Sequence, residues 1–260
     1  MTIQALVIGI GSGNPDHLTR EAVAALNRVD VFFVADKGAA KQDLVRSRED
    51  LCRALIIHDH YRFVEVPDPE RGPDRERGAA EYQVGVAAWH EARARRYAEV
   101  IGAEIDDGGT IGFLVWGDPA IYDSTIRVVK AITKLGVDLE LAVLPGISSI
   151  QLLAARHKII LNRVGQPIHI TTGRRLLEEY SPSLGDVIVM LDGELACGGL
   201  VEQFGDLTIY WGAQLGLPDE TLISGRLQAV IEEIRAERAA VRAARGWVMD
   251  TYLLRPPGTR

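Results

Sequence analysis

The sequence predicts an α/β protein made of two halves, and three observations carry that prediction. Strand-like and helix-like patterns alternate from one end to the other, as in layered sheets. The β-branched run IQALVIGI passes into the glycine-rich GSGNP (11–15) and then a helical pattern near Pro15, a residue suited to a first helical turn. A second series of elements starts near Pro145, dividing the chain into an N-terminal domain, 1–144, and a C-terminal domain, 145–260. Domain junctions often hold small-molecule sites, so the active site is expected in a cleft between the halves.

In the first half, PDHLTREAVAALNRV has helical spacing and VDVFFVAD is a short buried strand ending in Asp36. A helix over KQDLVRSREDLCRALI and a strand RFVEV follow. PDPERGPDRERG (67–78), with three prolines and many charges, reads as a loop able to act as a lid. The long helix AAEYQVGVAAWHEARARRYAEVIGAEI, the strand TIGFLVWGDP, a helix to about Leu135 and the strand VDLELAVLP complete a half of mainly parallel strands. The second half reads as helix ISSIQLLAARH, strand PIHIT, helix RRLLEEY, strand DVIVMLD, helix ELACGGLVEQF, strand LTIYWGA, helix RLQAVIEEIRAERAAVRAAR and strand GWVMDTYLL. No internal repeat is visible.

With 260 residues the chain can bury a real core, and 47% hydrophobic with 25% charged residues is a globular composition. A net charge of −7 argues against a broad nucleic-acid footprint but leaves room for local basic clusters that hold an anionic small molecule. Cys52 and Cys197 are far apart in sequence and suggest no disulfide framework. MTIQALVIGIGSG lacks a basic leader and reads as a first strand, and no apolar run approaches the roughly 18 residues of a membrane span. The expectation is a cytoplasmic protein with no membrane or nucleic-acid partner.

Four loops follow the carboxyl ends of expected strands: GSGNP (11–15), WGDPAIYDS (116–124), LPGISS (144–149) and TTGRR (171–175). Ligands of parallel α/β sheets bind at that edge. Gly9, Gly11 and Gly13 invite a dinucleotide reading, but the third glycine of G-x-G-x-x-G falls on Asn14.

Together, VIGIGSGNPDHLT, VWGDPAIYDS, LPGISS and VIVML, in this order across nearly the whole chain, resemble the tetrapyrrole methylases, the S-adenosylmethionine-dependent enzymes of cobalamin and sirohaem synthesis. ADKG (35–38), HKIILNRVGQPIHITTGRRL, YWGAQLGLPDE and GWVMDTYLL are similar to the deacetylating branch, which methylates C1 of precorrin-5 and releases acetate. The resemblance implies two α/β domains with the donor folded into the interdomain cleft, S-adenosylhomocysteine as product, no metal, and a homodimer. It places the donor on Trp116, Gly117, Asp118, Ile121, Ser148, Ser149, Met190, Gly212 and Ala213. Gly11, Ser12 and Gly13 would line the substrate side with Lys37. Two positions depart from the family pattern: Trp116 stands where a glycine is usual, and Ser12 where many relatives have proline.

Methyl transfer from a sulfonium loses positive charge, so apolar walls and good alignment serve it, while loss of acetate needs an attacking water. Asp36, at a strand end, is the candidate catalytic carboxylate; its plain structural alternative is capping the next helix. Arg174 and Arg175, with Arg163 and Lys158 nearby in sequence, are candidates to clamp substrate carboxylates, against simple solvated charge. His58 and His60 have metal-ligand spacing but no evident third ligand, and His157 and His169 read as core or capping residues. RARRY (93–97) reads as the polar face of a helix. Two other classes stay open: a nicotinamide oxidoreductase with Asp36 on a ribose hydroxyl, disfavoured by Asn14, and a non-catalytic ligand-binding protein.

Overall fold

The computed structural model describes residues 2–36, 42–69, 79–105 and 108–258. Lys37 and residues 70–78 of the proline-rich segment lie outside them. The chain divides into two compact units, Met1–Ile147 and Ser148–Arg260.

The first unit runs β1 (Ile3–Gly9), α1 (Arg20–Leu26), β2 (Val31–Asp36), α2 (Gln42–Leu55), β3 (Arg62–Pro67), α3 (Ala79–Glu104), β4 (Gly109–Val115), α4 (Thr125–Lys134) and β5 (Leu139–Leu144). Its sheet has the order β3-β2-β4-β1-β5 with every pairing parallel. Period-two alternation sends Ile3, Ala5 and Val7 of β1 to one face, packed with Tyr97, Ile101, Val129 and Ile132 of α3 and α4. Leu6 and Ile8 point to the other face, against Ala22, Leu26, Leu51 and Cys52 of α1 and α2. A parallel sheet covered on both faces leaves its carboxyl edge as the place for chemistry.

The expected helix at Pro15 starts later. Residues Pro15–His17 form a single 3-10 turn in which Asn14 Oδ1 accepts the Asp16 N–H at 2.9 Å, and α1 begins only after Thr19, whose hydroxyl accepts the Ala22 N–H. Asn14 therefore caps a turn where a dinucleotide loop would place its third glycine.

The second unit contains α5 (Ser149–His157), β6 (Ile168–Thr172), α6 (Gly173–Glu179), β7 (Asp186–Met190), α7 (Val201–Phe204), β8 (Thr208–Ala213), β9 (Thr221–Arg226), α8 (Leu227–Arg245) and β10 (Asp250–Arg255). Its order is β6-β7-β10-β8-β9, and it is a mixed sheet: β6 and β7 are parallel, β10 runs antiparallel to both β7 and β8, and β9 is antiparallel to β8. β9 has no counterpart among the expected elements: it is an edge strand that, among the described residues, pairs only with β8 and buries only Ile223. It also draws one helix where a 3-10 turn, Ala196–Leu200, precedes the short α7.

Candidate active site

At the carboxyl edge of the first sheet, three loops are joined by backbone. Gly11 and Gly117 exchange hydrogen bonds, N–H to O at 3.2 Å and 2.7 Å, linking the loops after β1 and β4. The loop after β5 is pressed into the same place: a Cβ on Gly146 would lie 2.1 Å from the Gly117 carbonyl oxygen, and one on Gly9 would lie 2.6 Å from the Gly146 nitrogen. No side chain fits at either position, so the glycines are needed for contact between main chains. Asp118 completes the junction, its Oδ2 accepting the Gly146 N–H at 3.0 Å and its Oδ1 the Ala120 N–H at 2.8 Å. Gly13 (φ +86°) lies under the Trp116 ring, where a Cβ would come within 2.6 Å of Cζ3.

The second sheet gathers its own set at one edge. Because β10 is antiparallel to β7 and β8, its first residues lie between the carboxyl ends of those strands, with Thr251 opposite Gly212 and Asp250 opposite Ala213. The Thr251 hydroxyl donates to Val189 O, beside Met190, and receives the Ser149 hydroxyl at 3.3 Å. Ser149, Met190, Gly212 and Ala213 are thus brought together. Ser148 starts α5 with its N–H and hydroxyl both donated to Gln151 Oε1 at 2.7 Å. Leu191, after Met190, and Gln214, after Ala213, both hold left-handed backbone (φ 52° and 51°). Such strain in non-glycine residues persists where the surroundings dictate it, often at ligand sites.

Behind that edge lies a buried polar network. Asp250 Oδ2 receives Trp211 Nε1–H at 2.9 Å and lies 2.9 Å from Arg238 Nε, while Asp192 Oδ2 receives the Tyr252 hydroxyl at 2.6 Å and the Ala196 N–H at 2.7 Å. Burial pushes the Asp250 carboxyl up from its ordinary range, against the opposing pull of Arg238.

Residues 5–231 match the family described as Tetrapyrrole (Corrin/Porphyrin) Methylases. This chain belongs to the tetrapyrrole methylases. It is 46% identical to "Precorrin-6A synthase [deacetylating]" of Sinorhizobium sp over 96% of this chain and 94% of that one. A crystal structure described as a cobalamin synthesis related protein (CobF) from Corynebacterium diphtheriae superposes with a TM-score of 0.81 at 33% identity, covering 97% of this chain and 98% of that one. A uroporphyrin-III C-methyl transferase from Thermus thermophilus, complexed with S-adenosyl homocysteine, shares the fold at a TM-score of 0.59 and 17% identity, over 96% and 91% of the two chains. As a tetrapyrrole methylase so similar to a cobalamin enzyme, the chain is an S-adenosylmethionine-dependent methyltransferase of cobalamin biosynthesis.

For a tetrapyrrole methylase the two edges have suitable chemistry. Small residues, a thioether and two serine hydroxyls make up the set from the second unit, with no cation to repel a sulfonium. Asp36 ends β2, is exposed, and accepts the Asp68 N–H on its carbonyl at 3.2 Å. Arg175 is ion-paired with Glu179, which also receives the Thr171 hydroxyl at 2.7 Å; these two contacts hold the Glu179 carboxyl down to about 2. His169 Nε2 meets the same carboxylate, His157 Nε2 meets Trp211 O at 2.9 Å, and His58 Nε2 meets Asn27 O at 3.1 Å.

The polar-face reading of RARRY is corrected in part. Arg95 and Arg96 pair on the surface with Glu91 and Glu99, but Arg93 is half-buried, 2.9 Å from Asp68 Oδ1 and stacked near Trp89 and Tyr97. Trp89, Arg93 and Tyr97 are four residues apart along α3, so they share an inward face, and that spacing was the available signal.

Proposed function

We propose that this methyltransferase adds a methyl group to C1 of precorrin-5 and releases acetate, giving precorrin-6A. The carrying observation is 46% identity to a deacetylating precorrin-6A synthase over 96% of this chain, with the glycine junction of Gly9, Gly117 and Gly146 at its strand ends. S-adenosylmethionine supplies the methyl on a sulfonium, and an electron-rich ring carbon takes it, so no protein nucleophile is required. Trp116, Gly117, Asp118 and Ile121 of the first unit and Ser148, Ser149, Met190, Gly212 and Ala213 of the second hold the donor in this reading. Asp118 and Ser148 act through the loops they fasten, since their polar atoms are committed to Gly146, Ala120 and Gln151. Gly11, Ser12, Gly13, Lys37, Arg174 and Arg175 belong to the substrate side. The working form is a cytoplasmic homodimer, for which sedimentation velocity should give twice the mass of the chain.

Asp36 is assigned the proton or water step: its exposed carboxylate at the end of β2 accepts a ring proton or orients the water that expels acetate. General-base groups contribute about 10²–10⁴-fold. Purified enzyme incubated with precorrin-5 and S-adenosylmethionine should yield, by mass spectrometry, a product that has gained a methyl and lost an acetyl group. Asp36→Asn should lower that yield by about 10²-fold or more while S-adenosylhomocysteine affinity is kept. Loss of acetate release alone would assign Asp36 to water; wild-type rates of both steps would remove it from catalysis. Methylation without acetate from the wild-type enzyme would place the chain on another tetrapyrrole substrate.

A further inference from the structure

Arg48 is a half-buried cation set in the apolar stripe of α2. Leu44, Leu51 and Leu55 lie four, three and seven residues away, and Leu51 belongs to the core. Its Nε donates to Leu114 O at 3.3 Å, next to the last residue of β4, and its Nη1 to Leu44 O at 3.0 Å. The guanidinium lies 5.0 Å from the centre of the Trp116 ring, the ring that also covers Gly13. Five N–H groups are present and two are used; among the described residues no carboxylate comes within ion-pair distance. Asp123 attracts the charge from further off and Arg93 repels it, with Arg93 itself neutralised by Asp68. Burial draws the Arg48 pKa down to about 10, and the group still carries its charge at neutral pH.

Trp116 adds a second donor with the same need. Its Nε1 is buried and has no hydrogen-bond partner among the described residues. An indole N–H and a guanidinium only donate, so the Trp116 N–H and the Arg48 N–H groups left over from Leu114 O and Leu44 O can both serve an added acceptor at the carboxyl end of β4. A planar fork backed by an aromatic ring suits a carboxylate. Acetate and propionate side chains are what a tetrapyrrole precursor presents around its rim, whereas a donor sulfonium is repelled by a cation.

We propose that Arg48, seated on Trp116, binds a side-chain carboxylate of the tetrapyrrole and so sets the orientation of the ring over the first unit's strand ends. This rests on the substrate class argued above.

The test compares wild type with Arg48→Met and Arg48→Lys. Arg48→Met should raise the KM for precorrin-5 about 10- to 100-fold, the range of a hydrogen bond to a charged group, with S-adenosylhomocysteine affinity and melting temperature unchanged. Arg48→Lys keeps charge without the fork and should fall between. Binding of uroporphyrin and of its methyl ester, followed by tryptophan quenching, supplies a readout independent of turnover. Wild type should prefer the free acid, and Arg48→Met should lose most of that preference. An unchanged KM and an unchanged acid-to-ester preference in folded Arg48→Met would overturn the assignment. So would a parallel fall in donor affinity and melting temperature, which marks a structural role. A wild type that prefers the acid through Arg48 yet leaves precorrin-5 unmethylated would overturn the assigned reaction and leave the carboxylate site standing.

Discussion

The two units organise their strand ends by different physics. In the first, main chain meets main chain: Gly9, Gly11, Gly117 and Gly146 touch through backbone atoms, and the only carboxylate in the junction, Asp118, accepts backbone N–H groups. In the second, buried side chains carry the load, with Asp250, Arg238, Trp211, Asp192 and Tyr252 joined behind the edge that holds Met190 and Ala213. A steric junction is insensitive to charge but intolerant of one added carbon. A polar network tolerates shape changes and fails when one partner is removed.

That contrast is broken most severely in the second unit. Arg238→Met leaves Asp250 buried without its cation and should cost about 3–5 kcal/mol in a urea titration. Adding Asp250→Leu should recover part of the loss, because the unpaired charge disappears, and only part, because Trp211 N–H still loses its acceptor. Additive losses in the double variant would mean the pair is not coupled.

Next comes Gly146→Ala, where a Cβ 2.1 Å from Gly117 O forces two backbones apart. About 3 kcal/mol is expected, together with weaker donor binding. Gly136→Ala makes a control, since its φ of +98° brings strain but nothing lies within 4 Å of the added carbon. Equal losses at the two positions would show that strain, and not the junction, decides.

The smallest effect is one of pH. Glu179, held down to about 2 in the folded chain by Thr171 and Arg175, stabilises the second unit fully above the pKa of the unfolded carboxyl. The contribution fades as pH falls from that range towards about 2. Glu179→Gln should therefore flatten stability in this acid window, lowering it at neutral pH and letting variant and wild type converge towards about pH 2. An identical acid profile would show that the contacts add nothing.

The same contrast explains what was legible in the sequence. A backbone junction writes itself as glycines next to strands, so the loops at 11–15, 116–124 and 144–149 could be found from the chain alone. β1 and β4 were equally plain, because buried parallel strands are continuous apolar runs. Edge strand β9 buries one residue and leaves almost no pattern. Arg48 and Arg93 were missed for a different reason: charged residues on helices read as solvated, and the long-range partners Trp116 and Asp68 are brought close only by the fold. The apolar stripe around Arg48 is the sequence signal for its burial. Asp118 and Ser148 stand out in the sequence, but only the geometry shows that they fasten Gly146 and Gln151.

We propose that the Gly117 loop of the first unit holds the donor, and calorimetry on Gly117→Val is the decisive experiment. Gly117 has φ +66°, which a β-branched side chain adopts only under strain. Wild type should bind S-adenosylhomocysteine and show no heat with NAD. Gly117→Val, checked by circular dichroism to be folded, should lose at least about tenfold in affinity, or 1.4 kcal/mol. Undiminished S-adenosylhomocysteine binding by the folded variant would remove Gly117 from the donor site, and NAD binding by the wild type would overturn the assigned cofactor.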